Sequence, residues 1–175
     1  MINNDYAYEL DFDFDLVYLE NLILTFVKKN KDLKRHQRLV SEDPYLNSVK
    51  EKFPLLSSIW NYYDILPYAR LAPHIDARRS CALNIPIRGT EGSSTLFYKP
   101  TADLNLRYDN ERVLNWVNSD LEKVFEFELV KPTLIRNDVP HAVINGSSRR
   151  IILSWSIVIN YSFDEAKEFF QGLGS

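Results

Sequence analysis

Residues 132–160, PTLIRNDVPHAVINGSSRRIILSWSIVIN, contain three short apolar runs separated by turn-forming residues. The runs PTLIRN, HAVIN and RRIILSWSIVIN are rich in the β-branched and aromatic residues that favour strands. Segments of similar composition precede them: LPYARLAPHI (66–75), SCALNIPIR (80–88), STLFYKP (94–100) and FEFELV (125–130). About seven to nine short strands predict a mainly β fold, an antiparallel sandwich or a jelly roll.

Helices are predicted on both sides of these strands. Asp15 is a suitable N-cap for an amphipathic helix over LVYLENLILTFVKKNK, and ELDFDFD before it alternates as a half-buried strand does. A second helix is expected within residues 43–64, interrupted near Pro54, and a third around residues 109–125. Ser162 and Glu165 form a capping box for a last helix that Gly172 ends. We therefore predict a jelly-roll core flanked by N-terminal and C-terminal helices.

The composition indicates one soluble domain. A chain of 175 residues with 45% hydrophobic and 26% charged residues can bury a core of its own. We expect a single domain over 1–175, with a mostly helical buttress (1–65), a jelly-roll core (66–160) and a C-terminal helix (161–175). The net charge of -3 makes a nucleic-acid partner unlikely, and no apolar run approaches membrane-spanning length. With one cysteine and no secretory signal pattern, a cytoplasmic location is predicted.

A candidate metal site is formed by His74, Asp76 and His141. Residues two apart on a strand point to the same face, so His74 and Asp76 can reach one ion. His141 opens a later strand. Two imidazoles and one carboxylate form the facial triad that holds non-heme Fe(II) and leaves coordination positions open.

A basic residue is predicted to share a face with His141. Asn145-Gly146 is a tight-turn signal, so the strands on either side are expected to form a hairpin. With a two- or four-residue loop, Arg150 lies on the face of His141, and only an odd-length loop or a bulge would place Arg149 there. Arginine is the side chain best suited to hold a carboxylate by two hydrogen bonds.

These residues together resemble the Fe(II)- and 2-oxoglutarate-dependent dioxygenases over about residues 60–160. The family pattern of His-x-Asp/Glu, a distal His and a basic residue some ten positions later is matched by His74, Asp76, His141 and Arg150. The surrounding segments PHIDARRSCALNIPIRG and LIRNDVPHAVINGSSRRIILSWS look similar to the aspartyl/asparaginyl β-hydroxylase and prolyl hydroxylase-like branches. The β-hydroxylase branch can lack the carboxylate ligand that this chain has in Asp76.

The resemblance implies a double-stranded β-helix that binds Fe(II) through His74, Asp76 and His141. It implies 2-oxoglutarate as cosubstrate, with Arg150 pairing with its C5 carboxylate. Further cofactor contacts are expected from Asn84 and Ser154, and from Tyr98 or Tyr68. The implied reaction uses dioxygen to hydroxylate an unactivated C–H bond of an unidentified small-molecule or protein substrate.

Several alternatives remain open at this point. Arg78 and Arg79 are expected to form salt bridges at the barrel rim, with contact to an anionic substrate as the other interpretation. Cys81 is expected to be a small buried residue rather than a reactive thiolate. A cupin-type metalloenzyme without 2-oxoglutarate, or a non-catalytic β-sandwich binding protein, would also fit the strand pattern.

Overall fold

The computed structural model describes residues 1–29, 36–40, 43–76, 79–101, 108–109, 112–113, 120–158 and 160–173. Within them lie three helices, α1 (Leu16–Lys29), α2 (Pro44–Lys52) and α3 (Phe163–Leu173). The strands in the described residues are β1 (Ala7–Glu9), β2 (His36–Val40), β3 (Leu56–Ile65), β4 (Arg70–Asp76), β5 (Cys81–Arg88), β6 (Ser94–Pro100), β7 (Tyr108–Asp109), β8 (Arg112–Val113), β9 (Leu121–Phe127), β10 (Thr133–Arg136), β11 (His141–Ile144) and β12 (Arg150–Ile157).

The strands form two six-stranded antiparallel sheets. Sheet I has the order β1-β10-β5-β12-β3-β2, and sheet II has the order β7-β8-β4-β11-β6-β9. From β3 to β6, and again from β9 to β12, consecutive strands alternate between the two sheets. This alternation is the topology of a double-stranded β-helix, so the predicted jelly roll with flanking helices is confirmed.

The larger hydrophobic core lies between sheet I and the helices. Alternate residues of β5 and β12 point to this side, among them Leu83, Ile85, Leu153 and Trp155, all buried. They join Leu19 and Ile23 of α1, Leu46 and Val49 of α2, and Phe163 and Phe170 of α3. The helices therefore cover the outer face of sheet I, which leaves its inner face for sheet II.

A smaller hydrophobic cluster joins the inner faces of the sheets. Ile135 and Ile152 of sheet I pack with Phe97 and Phe127 of sheet II. The intervening strand positions on the inner faces carry polar residues, and it is there that the candidate site lies.

Both predicted helix caps are confirmed. Asp15 Oδ1 accepts a hydrogen bond from the Tyr18 N–H (2.8 Å) at the start of α1. At α3, the Ser162 N–H donates to Glu165 Oε2 (2.8 Å) and the Glu165 N–H to Ser162 Oγ (3.2 Å). The helix ends at Leu173, one residue after the predicted glycine.

Three local predictions are wrong. The strand expected over residues 9–15 ends at Glu9, because Asp15 caps α1 and Phe12 and Phe14 pack on Phe53 instead. The second helix ends at Lys52, just before Pro54, and Leu56–Ile65 forms a central strand of sheet I, so the β core begins before residue 66. Residues 121–125 of the expected third helix belong to β9, and residues 114–119 lie outside the described residues.

Among the described residues, we find no helix with both the length and the apolar character needed to cross a bilayer.

Candidate metal centre

Three side chains that can ligate a metal meet at one end of sheet II. His74 and Asp76 point to the same face of β4, and His141 opens the neighbouring β11, where its Cα is paired with that of His74. The ligand atoms of the three residues lie within 4.8 Å of one another. His74 Nε2 is 3.6 Å from Asp76 Oδ1. This His-Asp-His group can therefore hold a metal ion.

Both imidazoles are oriented by hydrogen bonds to the backbone. Nδ1 of His74 is 2.9 Å from the Ala72 carbonyl oxygen, and Nδ1 of His141 is 3.0 Å from that of Val139. Because a carbonyl oxygen only accepts, each Nδ1 carries a proton and donates it. Burial, together with the proximity of His74, lowers the pKa of His141 to about 4. At neutral pH, Nε2 of His141 thus carries the lone pair that a metal ion requires.

Asp76 is paired with Arg79. The Arg79 Nε and Nη2 groups both donate to Asp76 Oδ2, at 2.9 and 2.5 Å. Burial by itself would raise the pKa of Asp76, but the charge of Arg79, together with the two imidazoles, holds it below its ordinary value. Asp76 is therefore ionised at neutral pH, as a metal ligand must be.

Arg79 also reaches across to sheet I. Its Nη1 donates to Ser154 Oγ (3.2 Å) and its Nη2 to the Tyr63 hydroxyl (3.1 Å). The salt bridge that we predicted for Arg79 exists, but it lies inside the molecule and involves Asp76 of the candidate metal site. Arg78 lies outside the described residues.

A cavity between the sheets connects this group to Arg150. Its empty volume is about 460 Å³, part of which opens to solvent, and His74, Asp76, His141 and Arg150 all line it. The Arg150 side chain is 1% exposed, and its Nε and Nη1 have no hydrogen-bond partner within the described part of the chain. Burial lowers the pKa of Arg150 to about 10. The cavity thus contains a desolvated cation that no carboxylate of the described residues balances.

Arg150 reaches the cavity by a route that differs from the predicted hairpin. His141 belongs to sheet II, where β11 pairs with β4 and β6, whereas β12 pairs with β3 and β5 of sheet I. The predicted β11–β12 pairing is therefore wrong, and the two residues meet because the inner faces of the sheets oppose each other. The alternation predicted along β12 is correct, since Ile152 and Ser154 line the cavity with Arg150. Arg149 points outward and pairs with Asp64 through two hydrogen bonds of 2.7 and 2.5 Å.

The predicted cofactor contacts are only partly brought together. Asn84 and Ser154 are directly paired across β5 and β12, both line the cavity, and Asn84 Oδ1 has no hydrogen-bond partner. Tyr98 is not among the lining residues; its N–H donates to the Pro140 carbonyl (2.9 Å), and it pairs with Lys123 on β9. Tyr68 is 74% exposed in a loop.

Sequence reasoning missed one buried polar residue, Asn137. It is fully buried and lines the cavity, and among the described residues neither its Oδ1 nor its Nδ2 finds a hydrogen-bond partner. The Asn137 carbonyl accepts from the Asp76 N–H (3.0 Å), which places the residue at the metal end. Along sheet I, the paired residues Ser154 and Asn84 lie between Asn137 and Arg150. No spacing in the sequence marks this asparagine.

Cys81 behaves as predicted for a structural cysteine. It lies on the helix-covered side of β5 within the larger core. Burial raises the pKa of its thiol to about 12, so the thiolate is scarce at neutral pH.

Comparison with known proteins supports the jelly-roll fold. No family model and no curated protein matches this chain. Among solved structures, E. coli ycfD matches with a TM-score of 0.51 and 10% sequence identity, over 92% of this chain and 51% of that chain. L-ribose isomerase from Geodermatophilus obscurus matches with a TM-score of 0.38 and 13% identity, over 70% of this chain and 60% of that one. This chain thus shares the fold of ycfD and spans about half of its length.

Proposed function

We propose that this chain is an Fe(II)- and 2-oxoglutarate-dependent oxygenase that hydroxylates an unactivated C–H bond of a protein side chain or small molecule. The proposal rests chiefly on Arg150, whose buried guanidinium has donors that no described residue pairs with, in the same cavity as the His-Asp-His group. An unpaired buried charge is costly to a folded protein, so its retention favours an anionic ligand as the missing partner.

The donor set fits a redox-active divalent metal. His74, Asp76 and His141 offer two neutral nitrogens and one carboxylate, the combination that suits non-heme Fe(II). Ligands of one ion lie about 2.0–2.2 Å from it, so the ligand atoms, now within 4.8 Å of one another, need only small side-chain rotations to close on it. When bound, Fe(II) and 2-oxoglutarate would supply the oxidising chemistry, while the chain's own residues orient the reactants and exclude water.

The charges of the cavity fit a dicarboxylate. Arg79 and Arg150 contribute two cations and Asp76 one anion, and a divalent metal would add further positive charge. One carboxylate of 2-oxoglutarate can accept paired hydrogen bonds from Arg150, while the keto acid at its other end would bind the metal. Asn84 and Ser154 lie on the wall between these two ends and can supply further polar contacts.

The other functions that fit this fold make different demands on Arg150. A cupin-type metalloenzyme without 2-oxoglutarate has no general need for a cation near its metal. A non-catalytic binding protein needs neither this cation nor the metal-binding group. Arg150 therefore favours the oxygenase over both alternatives.

The proposal also includes three expectations from the sequence. Residues 1–175 form one oxygenase domain, dioxygen and an unidentified substrate are its partners, and its location is the cytoplasm.

Anaerobic titration tests the proposal directly. Fe(II) and then 2-oxoglutarate are added to the purified protein, and the weak visible charge-transfer band of the metal-bound keto acid is recorded. We expect the band in the unaltered protein and in Arg149→Met, which removes an outward-facing arginine. In Arg150→Met we expect metal binding without the band at the same 2-oxoglutarate concentration.

Two other outcomes would each favour a different function. A metal-loaded, folded protein that never develops the band would refute 2-oxoglutarate use and favour the cupin-type enzyme. A folded protein that takes up no metal would favour the non-catalytic binding protein.

A further inference from the structure

The two oxygens of Asp76 have different surroundings. Oδ2 accepts two hydrogen bonds from Arg79, whereas Oδ1 is the oxygen 3.6 Å from His74 Nε2. A carboxylate with both oxygens available can bind a metal through one or through both. Here Oδ1 lies 3.6 Å from His74 Nε2, and Oδ2 is paired with the Arg79 guanidinium.

Arg79 is held in this orientation from the opposite sheet. Ser154 of β12 and Tyr63 of β3 accept hydrogen bonds from its Nη1 and Nη2. Its side chain is 16% exposed. A guanidinium with partners on two sheets cannot rotate away from Asp76 without breaking several buried hydrogen bonds, so Arg79 differs from a surface salt-bridge residue, whose geometry is loosely defined.

We propose that Arg79 is a positioning residue that restricts Asp76 to a single metal-binding oxygen and so keeps a coordination position available for the cosubstrate. The inference rests on the proposed function, because a position needs to be kept open only if another ligand must enter. Arg79 acts through Asp76 and touches neither cofactor nor substrate in this role.

Removing Arg79 should change metal and cosubstrate binding in opposite directions. In Arg79→Met, Oδ2 is released and Asp76 loses its compensating cation. The site then attracts a divalent metal at least as strongly as before, because its net charge is more negative. A second Asp76 oxygen on the metal would compete with 2-oxoglutarate, and the loss of a cavity cation would weaken binding of that dianion further. A residue that only stabilised the fold would weaken both equilibria when removed.

The experiment uses Co(II) as the metal probe, followed by 2-oxoglutarate on the Co(II)-loaded protein under anaerobic conditions. We expect Arg79→Met to bind Co(II) with an unchanged or smaller Kd and 2-oxoglutarate with a Kd at least about tenfold larger. The visible absorption of Co(II), which weakens as its coordination number rises, should be lower than in the unaltered protein. Arg79→Lys keeps the charge but cannot reproduce the planar, forked hydrogen bonding of the guanidinium. Its 2-oxoglutarate affinity should therefore lie between those of the unaltered protein and Arg79→Met. The lysine variant also tests the inference if the methionine variant does not fold.

Arg136→Met is the matched control. Its side chain is 19% exposed, close to that of Arg79, and it pairs with the exposed Asp164. Its guanidinium lies over the Phe163 ring on the helix side of sheet I, so the variant removes a similarly buried arginine that does not line the cavity. It should leave both Kd values and the Co(II) spectrum unchanged. Equal weakening of Co(II) and 2-oxoglutarate binding in both Arg79 variants, or an unchanged Co(II) spectrum, would overturn the inference. If the unaltered protein binds Co(II) but never 2-oxoglutarate, the proposed function fails, and the spectral comparison still decides whether Arg79 restricts Asp76.

Discussion

Replacing Arg150 with methionine should stabilise the ligand-free protein while removing its response to 2-oxoglutarate. The guanidinium is almost wholly buried, and burial lowers its pKa well below the ordinary arginine value, to about 10. Each tenfold change in a protonation equilibrium corresponds to about 1.4 kcal/mol, so burying this charge opposes folding by roughly 3 kcal/mol at neutral pH, where arginine stays protonated. Methionine has a similar length, adapts to irregular space and has no donors to satisfy.

The expected gain is smaller than the full cost, because methionine must still repack among its neighbours. We expect a stabilisation of about 1–3 kcal/mol. For a chain of this size, about 2–4 °C in Tm corresponds to each kcal/mol, so Tm should rise by roughly 2–12 °C.

Thermal unfolding with redox-inert Mn(II), with and without 2-oxoglutarate, measures both effects. A ligand at 100 times its Kd stabilises the native state by about 2.7 kcal/mol. The unaltered protein should show that increase and Arg150→Met should not. Arg149→Met, which removes the exposed partner of the mostly buried Asp64 carboxylate, should keep the ligand response and lose about 1–3 kcal/mol. The reasoning is refuted if ligand-free Arg150→Met is clearly less stable than the unaltered protein, or if its response to 2-oxoglutarate is undiminished.

Three further predictions test the candidate metal centre, the Cys81 thiol and the larger hydrophobic core. His141→Ala should weaken Co(II) binding by at least about 100-fold, measured by equilibrium titration, because a ligand is lost; near-normal affinity would exclude His141 as a ligand. At pH 8, Cys81 should react with a thiol reagent only as fast as the protein unfolds, since burial raises its pKa to about 12, and rapid labelling of folded protein would contradict this. Leu83→Ala should lower the unfolding free energy by about 2–5 kcal/mol in urea; a loss below about 1 kcal/mol would argue against this packing.

Local chemistry was sufficient to predict most of the strands and the grouping of His74 with Asp76 in the candidate metal site. Which residues share a face of one strand depends only on its pleat, so His74 could be grouped with Asp76, and Arg150 with Ser154, from their spacing. The helix caps at Asp15 and Ser162 are equally local, since each involves residues three positions apart.

Strand pairing could not be predicted in the same way. Asn145 was expected to form a hairpin turn, but its Nδ2 donates to the carbonyls of Leu66 and Ser148 (2.7 and 2.8 Å), and its N–H to that of Ala69 (2.9 Å). These bonds tie the segment after β11 to the loop before β4. The chain then crosses to the other sheet. Because Leu66 and Ala69 are far from Asn145 in sequence, no pattern in the residues between Asn145 and Arg150 predicts these bonds.

The sequence by itself therefore determined the β-rich class, the shared face of His74 and Asp76, and the shared face of Arg150 and Ser154, because these depend on residue type and on spacing within single strands. Only the tertiary structure decided that no carboxylate of the described residues pairs with Arg150, that Arg79 occupies one oxygen of Asp76, and that Asn137 lines the cavity while Tyr98 does not. Those facts depend on which inner faces oppose each other across the cavity, and that is settled by the packing of the two sheets.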